Sequence, residues 1–277
     1  MTASDNSFKV GFIGGGNMSR SIIGGLKNNP ALNLSLHVFD PSTELLNNLS
    51  DEFKINIASS NQALIEQCDV VVLAVKPQVM RSVLTELDAS KSKTLFLSIA
   101  AGLTINSLTK WLATEVAIVR TMPNTPALVQ CGATALFANA LVTKAQREHA
   151  DIIMRSTGLA LWVDSEDLLD SVTALSGSGP AYYFLVMEAM QAAAEKLGLN
   201  PDIARQLTIQ TALGAATLAS QSDETATDLR KRVTSPGGTT EQAINTLLEN
   251  NLADIFGKAM QAAYDRSKEL SVELDQD

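Results

Sequence analysis

A chain of 277 residues, 45% hydrophobic and 18% charged, has the composition of an ordinary globular protein and is long enough for two domains. Its formal charge of −9, with no lysine or arginine cluster set against it, repels phosphate backbones and anionic lipid, which argues against nucleic-acid and membrane partners and for small-molecule chemistry. Cys68 and Cys131 stand singly beside apolar runs, without metal-ligand or redox-motif spacing, and read as reduced core thiols of a cytoplasmic protein with no metal site.

The opening stretch MTASDNSFKV lacks the charged start and apolar body of a signal peptide, and the longest apolar run, AYYFLVM, is too short to span a bilayer. From Phe8 to about Asp164, strand-like runs alternate with helical segments. The predicted strands are FKVGFIG, LSLHVFD, INIA, DVVVLAV, TLFLSI, VAIVRTMP, GATALFAN and GLALWVD. Several are apolar at consecutive positions, the mark of parallel strands covered on both faces, so a doubly wound α/β sheet is predicted for a first domain over residues 1–166.

The first strand runs into a glycine turn and a helix, KVGFIGGGNMSRSIIGGL, which sets Gly14, Gly16 and Ser19 in a G-x-G-x-x-small pattern. Gly14 permits the tight turn and Gly16 lets a pyrophosphate approach the backbone. The helix beginning near Met18 offers free N–H groups to that anion. Ile13, Gly14, Gly16, Asn17 and Met18 are therefore candidate dinucleotide contacts.

Asp40 closes the second strand, where an acidic side chain hydrogen-bonds an adenine ribose 2′-hydroxyl and repels a 2′-phosphate. Ser42 and Thr43 follow at once and suit that phosphate as donors, while Asp40 also suits a helix N-cap before Pro41. Both NADH and NADPH stay open. Ligands lie beyond the carboxyl ends of such strands, so Ala74, Val75, Lys76 and Pro77 after the fourth, and Ile99, Ala100 and Ala101 after the fifth, line the expected nicotinamide path. Lys76 reads equally as a solvated strand-end lysine, and the two-proline loop TMPNTPAL after the sixth strand has the same ambiguity.

Beyond about Glu166 the pattern turns helical and alanine-rich in AYYFLVMEAMQAAAEKLGL, DIARQLTIQTALGAATLASQ, TEQAINTLLENN and LADIFGKAMQAAYDRSKEL. These predict an all-α second domain over residues 167–277. Its helices are apolar over more of their circumference than four helices cover among themselves, which predicts burial by a second copy of the chain, with a closed intrachain bundle as the alternative.

Two loops rich in small residues precede helices here. In SGSGP, Ser176 to Pro180, the absence of bulk leaves N–H groups bare and makes room for a flat ring. In TSPGGTTEQA, Ser235, Thr239 and Thr240 with nearby N–H groups form a seat for a small carboxylate. Both loops also read as ordinary N-caps, with Thr240 as the cap and Glu241 in the first turn.

VTALSGSGPAYYF, VTSPGGTTEQAI, LAVKPQ, SIAAG and MPNTPAL resemble, in order and across nearly the whole chain, the signatures of the pyrroline-5-carboxylate reductase family. The resemblance implies a Rossmann domain, a helical domain that interlocks with its twin, and larger rings of dimers. It implies reduction of L-1-pyrroline-5-carboxylate to L-proline by a nicotinamide cofactor, the last step of proline biosynthesis.

By the same resemblance the carboxylate-binding loop falls on Ser235, Gly237, Gly238, Thr239 and Thr240. Ser176, Gly177, Ser178, Gly179 and Pro180 would face the nicotinamide and the pyrroline ring. Glu166 matches an acidic residue near the substrate nitrogen and Asn61 a cofactor contact. Asp40 departs from the neutral or basic residue that many relatives carry.

The residue inventory agrees with imine reduction. His37 lies on a strand and His149 in an exposed-looking helix, and neither suits catalysis; after SGSGP no lysine occurs before Lys196. An alcohol dehydrogenase needs a group to take the hydroxyl proton, whereas a protonated imine is already electrophilic and needs only positioning. Thr240 is the candidate catalytic residue, donating to the ring nitrogen or a substrate oxygen. Another two-domain dehydrogenase of the 3-hydroxyacid type would require a catalytic lysine, and a non-catalytic nucleotide sensor would have lost one of the two small-residue loops.

Overall fold

A computed structural model describes residues 7–276, so the reading of the first six residues as free of a leader lies outside the described residues. All eight predicted runs form strands: β1 (Phe8–Ile13), β2 (Leu34–Phe39), β3 (Asn56–Ile57), β4 (Val70–Leu73), β5 (Leu95–Ser98), β6 (Ile118–Met122), β7 (Gly132–Ala138) and β8 (Gly158–Trp162). They make one sheet in the order β3-β2-β1-β4-β5-β6-β7-β8, parallel except for the β6–β7 pair. β3 is only two residues long.

The helices between strands are α1 (Asn17–Lys27), α2 (Thr43–Phe53), α3 (Asn61–Gln67), α4 (Pro77–Thr85), α5 (Ile105–Leu112) and α6 (Lys144–Arg155). Local chemistry starts them. Ser42, Ser60 and Thr104 cap α2, α3 and α5, Pro77 opens α4, and Thr143 with Gln146 makes a reciprocal capping box on α6.

The consecutive apolar runs of the central strands feed two cores, one on each face. Val70, Val72, Leu95 and Leu97 join Ile22, Leu26, Leu46 and Met154 from α1, α2 and α6. Val71, Leu73 and Phe96 join Leu64, Met80, Leu108 and Trp111 from α3, α4 and α5. Successive strand residues point to opposite faces, so a fully apolar run is required wherever both faces are covered.

The remaining elements are α7 (Leu168–Val172), a π-helical turn (Thr173–Gly177), α8 (Gly179–Lys196), α9 (Pro201–Ser220), α10 (Ala226–Arg232), α11 (Thr239–Glu249) and α12 (Leu252–Gln276). By packing, the chain divides into two compact units. One runs to Ser178 and resumes at Ala263, and the other is Gly179–Ala262. The end of α12 belongs to the first unit, where the Ser107 hydroxyl donates to Asp275 at 2.7 Å and that of Ser267 to Asp170 at 2.7 Å.

In the second unit α8 buries only Gly179, α9 only Ala204 and Thr208, and α10 and α11 bury nothing. Tyr183 is 70% exposed, Phe184 63% and Leu185 65%. A closed intrachain bundle is thereby ruled out for the single chain, because these helices turn their large apolar side chains to the outside. α10 is a helix the sequence reading lacked, since its charged segment ATDLRKR has no apolar face.

Candidate active site

β1 ends at Ile13, and the backbone turns at Gly14 with φ +98°, where a Cβ would lie 3.0 Å from the Ala74 carbonyl carbon and oxygen. Gly16, the N-cap of α1, is different: a Cβ there meets nothing within 4 Å, and no side chain caps the helix. The first-turn N–H groups thus border open space, the arrangement an anion requires. Buried Ser19, in place of a third glycine, donates to the Gly14 carbonyl at 2.7 Å and ties the helix to the turn.

Asp40 stands at the end of β2, next to this turn. Its Oδ2 accepts the Gly15 N–H at 2.9 Å and its Oδ1 the Ser42 N–H at 2.9 Å, so both oxygens brace the backbone. Exposed Ser42 caps α2 by accepting the Leu45 N–H. A 270 Å³ cavity beside the turn is lined by Gly16, Asn17, Arg20, Ser42, Glu44 and Asn48. Asn61 begins α3, and its Oδ1 is buried without a hydrogen-bond partner. A buried orphan acceptor calls for a donor. Open Gly16, uncapped α1 and the unpaired Asn61 oxygen together fit a dinucleotide.

The C-terminal ends of β1, β4 and β5 lie side by side. Ala74 N–H donates to the Ile13 carbonyl at 2.9 Å and Ile99 N–H to that of Leu73 at 3.3 Å. Ala74 and Val75 are half-buried, Lys76 is exposed, and Pro77 opens α4; Ile99 is half-buried, Ala100 buried and Ala101 exposed. The strand-end lysine caps α4 without a side-chain hydrogen bond.

SGSGP is not the open loop expected. Residues Thr173–Gly177 form a π-helical turn, closed by the Ser178 N–H to the Thr173 carbonyl at 2.8 Å. That N–H is therefore not bare. Pro180 cannot continue a regular ladder from α7, and a widened turn accommodates it. Glu166 accepts from Arg120 Nη1 at 2.9 Å and from the Ile105 N–H at 2.8 Å, with the Arg120 side chain only 7% exposed.

In the second unit, Gly237 has φ +71° and Gly238 is the N-cap of α11, so Thr239 and Thr240 are its first two residues and Thr240 is not the cap. Both threonines and Ser235 are exposed. Glu241 accepts the Gly237 N–H at 2.8 Å, which removes one donor from the loop, while no side chain caps the helix. The hydroxyls and first-turn N–H groups suit a small carboxylate.

The comparisons with known proteins agree along nearly the whole chain. A family model described as pyrroline-5-carboxylate reductase dimerisation matches residues 166–270, and one described as NADP oxidoreductase coenzyme F420-dependent matches residues 9–102. A pyrroline-5-carboxylate reductase of Pseudomonas aeruginosa is 47% identical over 269 residues, covering 97% of this chain and 98% of the relative.

The chain belongs to the pyrroline-5-carboxylate reductase family.

The structure of such a reductase from Coxiella burnetii superposes with a TM-score of 0.91 at 47% identity, covering 95% of this chain and 98% of that one. A Plasmodium falciparum pyrroline carboxylate reductase with NADP bound gives 0.82 at 32% identity, covering 95% and 98%. Members of this family use NAD(P)H, and the matched dimerisation region accounts for the exposed apolar helices α8 and α9. No helix among the described residues is long and apolar enough to cross a membrane.

Within this pyrroline-5-carboxylate reductase fold, three residues escaped sequence reasoning. Arg120 and Asn124 bond partners far along the chain, and Gly15 matters because a Cβ there would overlap Leu45. The sequence signal for Arg120 was a charged residue inside an apolar strand. Cys131 is exposed, in contrast to the expected core thiol, because it follows a 3-10 turn ending in left-handed Gln130. Cys68 is buried, and burial pushes its thiol up to about 11.

His149, expected to be exposed, is half-buried and stacks on Phe8 with ring centroids 4.0 Å apart, at the start of β1 and so at the opposite end of that strand from Gly14. Burial holds its pKa below the ordinary 6.5, and burial with Lys9 does the same to His37.

Proposed function

We propose that this chain reduces the cyclic imine L-1-pyrroline-5-carboxylate to L-proline with NAD(P)H, the final step of proline biosynthesis. The observation that carries the reading is full-length similarity to reductases of that name, with an open glycine turn at Gly16 and an uncapped, hydroxyl-bearing helix start at Thr239 and Thr240. When bound, the reduced nicotinamide supplies a hydride.

The chain's own part is positioning. Ile13, Gly14, Gly16, Asn17 and Met18 hold the pyrophosphate, Asn61 contacts the cofactor, and Ala74–Pro77 with Ile99–Ala101 line the nicotinamide path. Asp40 and Ser42 set the ribose pocket. Ser235, Gly237, Gly238, Thr239 and Thr240 seat the carboxylate, and Ser176–Pro180 leave room for the ring.

Thr240 donates a hydrogen bond to the ring nitrogen or a substrate oxygen. Hydride addition to the carbon of a protonated imine leaves a neutral amine, so no strong acid or base is required of the protein. Glu166 acts near the substrate nitrogen through its pairing with Arg120. Residues 1–166 serve the cofactor and residues 167–277 the substrate and the dimer contact. Rings of dimers and a cytoplasmic location complete the reading, the latter supported by the acidic charge and unpaired cysteines.

The test is loss of nicotinamide absorbance when purified protein meets L-1-pyrroline-5-carboxylate, run with NADH and with NADPH. Turnover with either supports the reading, and the ratio of kcat/KM values reports whether Asp40 or Ser42 governs the ribose pocket. Folded protein that binds a cofactor but gives no turnover overturns it.

A further inference from the structure

The geometry points to Asn124 as the positioning residue that holds the Ser176–Ser178 turn in place for the reaction, an inference that rests on the proposed imine reduction. In a continuous α-helix the Ser176 carbonyl would accept the N–H four residues later. That residue is Pro180, which has no N–H and whose ring crowds that carbonyl. The carbonyl is thus orphaned by the sequence itself.

Asn124, in the segment after β6, supplies the missing donor: its Nδ2 donates to the Ser176 carbonyl at 2.9 Å. Its Oδ1 accepts the Ala133 N–H at 2.9 Å, at the start of β7. The two bonds fix the amide in one orientation, because a flipped side chain would set NH2 against N–H and oxygen against oxygen.

Met122, two residues before Asn124, touches the same turn: its Cε lies 2.5 Å from where a Gly177 Cβ would stand. Thr121, one residue earlier, donates its hydroxyl to the Ser98 carbonyl at 3.0 Å. A continuous path therefore runs from the end of β5, where the nicotinamide path begins at Ile99, through Thr121, Met122 and Asn124 to Ser176. The motifs MPNTP and SGSGP, which sequence reading treated separately, are two halves of one joint. The π-helical turn persists because Asn124 takes up the carbonyl that Pro180 leaves unpaired.

Two variants of the intact oligomeric protein test this. Asn124→Ala removes both bonds, whereas Asn124→Asp keeps an acceptor for the Ala133 N–H and sets a second oxygen against the Ser176 carbonyl. In both, kcat with L-1-pyrroline-5-carboxylate is expected to fall by about 10- to 100-fold, the cost of misplacing a positioning segment. The Kd for NADPH, measured directly by titration, should stay within about twofold of wild type. Amide hydrogen exchange over residues 173–180 should quicken in both variants while exchange over β1 and α1 is unchanged.

Unchanged kcat and unchanged exchange at residues 173–180 overturn the proposal, as does a kcat loss matched by equal loss of NADPH binding and faster exchange throughout. If wild-type protein shows no turnover, the proposed reaction fails by itself. The exchange arm then still decides whether Asn124 holds the turn.

Discussion

Alanine at Gly16 separates folding from cofactor binding. Gly16 sits at φ −65° and ψ −173°, a conformation open to any L residue, and the added methyl meets no protein atom within 4 Å. No packed contact is lost, but Gly16 is the N-cap of α1, where alanine is a poorer cap than glycine. That capping cost, about 0.5–1 kcal/mol, offsets the about 0.4–1 kcal/mol that a glycine-to-alanine change at a compatible site returns by restricting the unfolded chain. The same methyl projects into the space where the pyrophosphate approaches the backbone. A ~10- to 100-fold weaker NADPH Kd is expected, roughly 1.4–2.7 kcal/mol.

Gly15→Ala is the counter-experiment, because its Cβ would overlap Leu45 Cδ2, the end of a half-buried side chain between α1 and α2 that must turn aside. Overpacking costs about 1–3 kcal/mol, and because a flexible side-chain end can give way here the low end is expected. The assay is NADPH titration by fluorescence or calorimetry, paired with thermal unfolding of cofactor-free protein. Gly16→Ala should leave Tm nearly unchanged and lose affinity, while Gly15→Ala should lower Tm. Wild-type affinity in Gly16→Ala, or destabilisation equal to that of Gly15→Ala, would refute the reasoning that Gly16 is kept bare for the ligand.

Removing Arg120 by alanine leaves the Glu166 carboxylate, 24% exposed, with the Ile105 N–H as its remaining partner among the contacts described; a loss of about 2–4 kcal/mol is expected from the urea midpoint, and Arg120→Lys should recover only part of it. His149 is half-buried with its folded pKa below 6.5, so the unfolded chain takes up a proton first as pH falls through 6.5 and stability declines toward acid. His149→Phe keeps a ring against Phe8 and should flatten the slope of Tm between pH 7 and pH 5, with His37 supplying a remaining part; an unaltered slope would exclude His149 as its source. Leu185→Glu puts a charge on the exposed apolar face of α8 and should shift the molecular mass in light scattering down to that of a monomer, whereas an unchanged mass would show that this face is not the contact between copies.

Features that depend on a few neighbouring residues were readable in the sequence. The eight strand-like runs specified strands, and the unbroken apolar character of several specified coverage on two faces, because strand side chains alternate with a period of two. Gly14 and Gly16 announced a tight turn and a close approach through backbone freedom alone. The excess apolar surface of the helical segments announced a second copy.

What joins distant residues was decided only by the tertiary structure. Arg120 meets Glu166 across 46 positions, Glu166 meets Ile105 across 61, and Asn124 meets Ser176 across 52. These pairings follow from the sheet order and from the antiparallel β6–β7 pair, neither of which is encoded in local periodicity. The double use of Asp40, the π-helical turn over SGSGP, the stacking of His149 on Phe8 and the exposure of Cys131 are of the same kind. Each depends on where a neighbouring element supplies or withholds a partner, and a residue's type does not specify its neighbours.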